Sequence, residues 1–86
     1  MLRKKAKTVD KPKFTDPKDI KINETLKIVI DAMKEKGYDP YTQLALFLMT
    51  EDEIYITTYN NARKLLLSLN REETIKHIIK FYFDNW

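Results

Sequence analysis

The sequence predicts an all-α fold: a compact bundle of four to five short helices, expected to form a homodimer, with a flexible basic arm at its N-terminus. Three observations carry this prediction. One Gly and three Pro in 86 residues are few turn formers for an all-β chain, and favour helices joined by short loops. Apolar residues recur at three- and four-residue spacing through most of the chain, the period of a helix with one buried face. Eighty-six residues make one domain of marginal burial, for which a core shared with a second copy is a physical remedy.

Charge divides the chain. The formal net charge is +3. Residues 1–21 hold eight Lys/Arg against three Asp, a net of +5, and residues 22–86 hold eight against ten Asp/Glu, a net of −2. Basicity is therefore expected of an arm over residues 1–19, while the helical domain over residues 20–86 is mildly acidic. The arm contains Pro12 and Pro17, and only Leu2, Val9 and Phe14 as apolar anchors. Such a segment is expected to be disordered or loosely docked.

The first helix is expected from Asn23 to Lys36. Asn23 suits the N-cap, and Leu26, Val29, Ile30 and Met33 form one stripe with Ile22 below it. Gly37 supplies a left-handed stop. The second helix opens on Asp39 as N-cap with Pro40 at the first helical position. Its run Leu44-Ala-Leu-Phe-Leu-Met49 is apolar on every side, the pattern of a central helix covered all round. Ile54-Tyr-Ile56 is either extended or a single helical turn. Thr57 or Thr58 is expected to cap a third helix from about Tyr59 to Leu69, with Ala62, Leu65, Leu66 and Leu69 inward. Asn70-Arg-Glu-Glu73 resembles a capping box opening a fourth helix. There Ile75, Ile78, Ile79, Tyr82, Phe83 and Trp86 make one stripe expected to pack, and the off-stripe Ile28, Leu46 and Leu67 are candidates for the dimer face.

The residues argue against catalysis. There is no Cys and one His, so no ligand set for a structural zinc assembles; His77 is expected on the polar side of its helix, in solvent. Glu51, Asp52 and Glu53 lack the alternating ligands and the Gly of a calcium loop. Ser68 has no histidine near it in sequence for a hydrolase triad. With one Gly, no phosphate-binding loop is available. No enzyme activity, metal or cofactor is expected. No apolar run approaches the roughly 20 residues of a membrane span, and the basic start lacks the apolar stretch of a signal peptide, so the cytoplasm is the expected compartment. Three uses of the arm remain open: a solubilising tail, an anion-binding segment for nucleic acid, or a kinase substrate through Thr8 or Thr15. A helix-turn-helix is disfavoured, because Thr50 to Thr58 exceeds the usual turn of about three or four residues.

From the first helix onward the sequence resembles the IreB/ReoM-like family of small regulators. Asn23-Glu-Thr-Leu26 is similar to the family's Ser-Glu-Thr-Leu. Glu35-Lys-Gly-Tyr-Asp-Pro40 with Gln43 resembles Glu-Lys-Gly-Tyr-Asn-Pro and its glutamine. Tyr59-Asn-Asn-Ala-Arg63 resembles Tyr-Asn-Asp-Ala-Arg, Arg71-Glu-Glu73 matches Arg-Asp-Glu, and Asp52, Tyr55 and Tyr82 fall at matching places. The resemblance implies a homodimeric helical domain and phosphorylation of an arm threonine by a serine/threonine kinase. Thr8, followed by Val9, matches best, and Thr15 is second. It further implies control of cell-wall synthesis, through Clp-dependent degradation of an enolpyruvyl transferase that phosphorylation relieves. Tyr59, Asn60, Arg63 and Arg71 are then the expected partner-binding residues. The chain departs from the family at Thr50-Glu-Asp-Glu53, where members have Ser-Gly-Asp-Pro, and at Thr57-Thr58, where they have Pro-Arg. Leu67 replaces a further arginine.

Overall fold

The computed structural model describes residues 16–84. Among these residues there are four α-helices and no strand: α1 (Pro17–Glu35), α2 (Pro40–Thr50), α3 (Ala62–Leu67) and α4 (Arg71–Asp84). Single 3-10 turns at Glu53–Tyr55 and Tyr59–Asn61 join α2 to α3. The all-α prediction is met. The expected arm threonines Thr8 and Thr15, and Trp86, lie outside the described residues.

Helix α1 starts at Pro17 rather than at Asn23. The Asp16 carboxylate accepts a hydrogen bond from the Lys18 N–H at 2.9 Å, and Pro17 occupies the first helical position. This Asp-Pro pair is the same start device that Asp39-Pro40 provides for α2, where Asp39 accepts from the Tyr41 and Thr42 amides. A cap followed by proline leaves no orphaned donor at the first position, so helix runs straight through Asn23. At its other end, the Gly37 N–H donates to the Lys34 carbonyl and the Tyr38 N–H to that of Met33. Gly37 has φ +86°, which only glycine adopts at little cost.

The core joins Val29, Ala32 and Met33 of α1 to Phe47 of α2, Ile56 of the link, and Ala62 and Leu66 of α3. Met33, Ile56 and Val29 are among the largest fully buried side chains, and each contributes about 1.5–3 kcal/mol of burial. Ile22 is buried as expected, and Leu26 packs against the core.

Three local expectations are corrected, and one left open is resolved. Helix α2 is not covered all round: Pro40 and Phe47 are its buried residues, Leu44, Leu46 and Leu48 are half-buried, and Met49 is 76% exposed. One side of α2 meets α1 and the 3-10 turn after it, and within one chain its far side is left to solvent. Ile54-Tyr-Ile56 resolves into a 3-10 turn, capped by the Asp52 carboxylate, followed by extended Ile56. Helix α3 begins at Ala62, because Asn60 and Asn61 adopt left-handed φ of 55° and 61°. Asn accepts that region more readily than most residues, and it ends the 3-10 turn before the true helix starts.

The last correction concerns α4. Its capping is as expected, with the Asn70 side chain accepting from the Glu73 N–H at 2.9 Å. Its orientation is not. The buried residues of α4 are Thr74 and His77, whereas Ile79 is 51% and Phe83 is 63% exposed. Ile75 and Ile78 are half-buried. The face turned toward α1 is therefore the one that carries the histidine.

Candidate partner surface

The candidate residues lie on and around α3, and the two arginines among them first serve the backbone. The Arg63 side chain donates from Nε to the Ile56 carbonyl at 2.9 Å, while its amide donates to Thr57. It thereby closes the link around the buried Ile56. Arg71 donates from Nη1 to the Leu48 carbonyl at 2.7 Å and pairs through Nη2 with Glu51. It thus caps the end of α2 from the start of α4. Gln43 of α2 donates to the Tyr55 carbonyl at 2.9 Å. Asn60 is an exposed turn residue.

Two hollows give these arginines a shared surface. Thr58, Asn61, Arg63, Lys64, Leu67 and Glu53 line one. Leu67, Arg71, Glu51 and apolar residues of α2 and α3 line the other. Leu67 belongs to both, so Arg63 and Arg71 flank it. Thr58 and Leu67, the two positions where the resemblance places further arginines, border the same hollows. The cationic character here rests on Arg63, Lys64 and Arg71, with Glu51 and Glu53 opposing it.

Tyr59 faces elsewhere. Its ring lies 5.2 Å below the Lys36 ammonium at the end of α1, and Lys34 lies 5.9 Å from the Tyr41 ring. Such contacts hold exposed rings by about 0.5–1 kcal/mol. The dimer candidates sit on three different helices, with Ile28 and Leu67 exposed and Leu46 half-buried.

Sequence reasoning missed one cluster altogether. Asp19 of α1 accepts from His77 Nδ1 at 3.0 Å and from Lys80 Nζ at 3.3 Å. His77 is 4% exposed, not solvated. A carboxylate only accepts, so Nδ1 carries the proton. The His77 hydrogen bond lowers the Asp19 carboxyl below its ordinary value, against the opposing effect of burial, and the Lys80 ammonium adds to the lowering. The Asp16-Pro17 start could have placed Asp19 in the first turn of α1; nothing local announces a partner 58 residues away.

The family model described as IreB regulatory phosphoprotein matches residues 7–84. The chain belongs to the IreB family. An IreB relative from Ruminiclostridium cellulolyticum, called UPF0297 protein, is 38% identical over 73 residues, covering 85% of this chain and 83% of its own length. Another UPF0297 protein, from Lachnoclostridium phytofermentans, is 36% identical over 67 residues, covering 78% and 76%. The recurrent IreB strings read in the sequence take on physical meaning here. Glu35 to Pro40 forms the α1–α2 turn, and Tyr59 to Arg63 forms the double left-handed turn and its arginine clamp.

Proposed function

We propose that this IreB-family chain is a non-enzymatic, homodimeric regulator in the cytoplasm whose protein–protein contacts are set by phosphorylation of Thr8, with Thr15 as a second site. The observation that carries the reading is the match to a regulatory phosphoprotein family from residue 7 onward, which takes in Thr8. The arm offers that threonine in a +5 segment, where a phosphate adds about −1.5 to −2 charge. The surface around Arg63, Leu67 and Arg71 is the partner face, with Tyr59 and Asn60 of the preceding turn beside it. Following the resemblance, the process controlled is cell-wall synthesis, through Clp-dependent turnover of the enolpyruvyl transferase. The exposed apolar residues of α1, α2 and α4, Ile28, Met49 and Ile79 among them, favour a second copy as a partner.

Incubation with the host's serine/threonine kinase, followed by mass spectrometry, tests this. Phosphate on Thr8, lost in Thr8→Ala, is the expected result; phosphate confined to residues 20–86, or none, overturns it. The charge split supports a rival, nucleic-acid binding through the arm. Salt-sensitive binding of DNA or RNA that vanishes on deleting residues 1–13 would favour that rival.

A further inference from the structure

The first turns of α1 lie over the link between α3 and α4. Lys18, Lys21 and Ile22 face Ser68, Leu69 and Asn70 across a groove of about 300 Å³, with Glu73 at its side. Asp19, the acidic residue between the two lysines, is engaged with His77 and Lys80 of α4. That contact leaves the lysines to the groove. Lys21 has no ion pair among the described residues, and Lys18 meets Glu73 at 3.4 Å with its side chain 70% exposed. Ile22 and Leu69 supply an apolar lining beside these charges.

We propose that this groove is the docking site for the chain's own phosphorylated arm, with the phosphate of Thr8 on Lys18 and Lys21. The inference rests on the reading of Thr8 as the switch. Residues 1–15 hold six Lys/Arg and one Asp, so the unmodified arm carries the same sign as the two lysines and is repelled. Phosphate reverses the sign locally at Thr8 and brings acceptor oxygens that charged donors bind strongly. Val9, next in sequence, matches the lining of Ile22 and Leu69. The tether is long enough: the eight residues from Thr8 to Asp16 span up to about 26–29 Å when extended. Lys21 lies only five residues into the helix from Asp16, about 8 Å along its axis. An intramolecular ligand on so short a tether has an effective concentration in the millimolar range, enough for a shallow, exposed site. Glu73 competes with the phosphate for Lys18, which gives the site a built-in adjustment.

The test uses the full chain with phosphothreonine installed at position 8 during synthesis, so that docking is read without any kinase. Failure of the kinase to label Thr8 would overturn the switch but not this groove. Amide resonances of Lys21, Ser68, Leu69 and Asn70 are expected to shift on phosphorylation. The second phosphate pKa, ordinarily about 6, is expected to fall in a phosphorus-31 titration. Both effects should disappear in the Lys18→Ala/Lys21→Ala double variant and grow in Glu73→Gln. Three results would overturn the proposal: shifts confined to residues flanking Thr8, shifts unchanged in the double variant, or shifts that depend on protein concentration and so report a second molecule.

Discussion

Where α1 meets α2, the link and α3, Val29, Ala32, Met33, Ile56 and Ala62 are wholly removed from solvent. Where α1 meets α4, the buried side chains that α4 provides are Thr74 and His77. The first interface is apolar packing, non-directional and roughly proportional to area. The second is a set of directed polar contacts: Lys18 with Glu73, and Asp19 with His77 and Lys80. Exposed ion pairs contribute about 0–1 kcal/mol each, and an ordinary hydrogen bond about 0.5–1.5 kcal/mol. Helix α4 is therefore latched rather than sunk into the core, and it is the element expected to open first. The latch sits at the start of α1, where Asp16 is the N-cap and Asp19 lies in the first turn.

Substitution in the apolar region separates the two interfaces most sharply. Met33→Ala is expected to lower global stability by about 2–5 kcal/mol, read by chemical denaturation. A loss below about 1 kcal/mol would mean that this cluster is not the core. The latch should respond differently. His77→Ala is expected to raise hydrogen exchange along α4 by about tenfold, the factor for roughly 1.4 kcal/mol, while amides of α1 around Val29 keep their protection. A uniform rise would merge the two regions into one cooperative unit.

The latch also has a pH signature. Because folding lowers the Asp19 carboxyl below its ordinary 3.8, ionised Asp19 stabilises the fold above that pH. The contribution is lost as pH falls through the lower folded value. The stability difference between the parent chain and Asp19→Asn should thus be full near neutrality and vanish in acid. A difference independent of pH would remove the charge from the latch. Smallest of all, Ile79→Ser is expected to change stability within one chain by less than about 0.5 kcal/mol. Sedimentation of the same variant then reads whether the α4 face supports self-association.

Local chemistry carried much of the fold. Asp39-Pro40, Gly37 and Asn70 each mark a helix end through a hydrogen bond or a backbone angle within a few residues, so each is legible in the sequence. Asp16-Pro17 carries the same mark, but the lysines around it give the segment the composition of an arm and mask the helix start. The candidate surface is legible by residue type and not by role. Nothing in sequence shows that Arg63 holds the Ile56 carbonyl or that Arg71 caps α2, because both contacts cross a loop.

The sequence by itself determined the helical class, the end signals and the confinement of net positive charge to the first 21 residues. Periodicity and capping are short-range, so one strand of text contains them. Only the tertiary structure decided which face of α4 turns inward. Its apolar stripe and its Thr74–His77 face are both helical faces. The choice between them depends on Asp19 and on the ends of α2 and α3, which periodicity within α4 does not register.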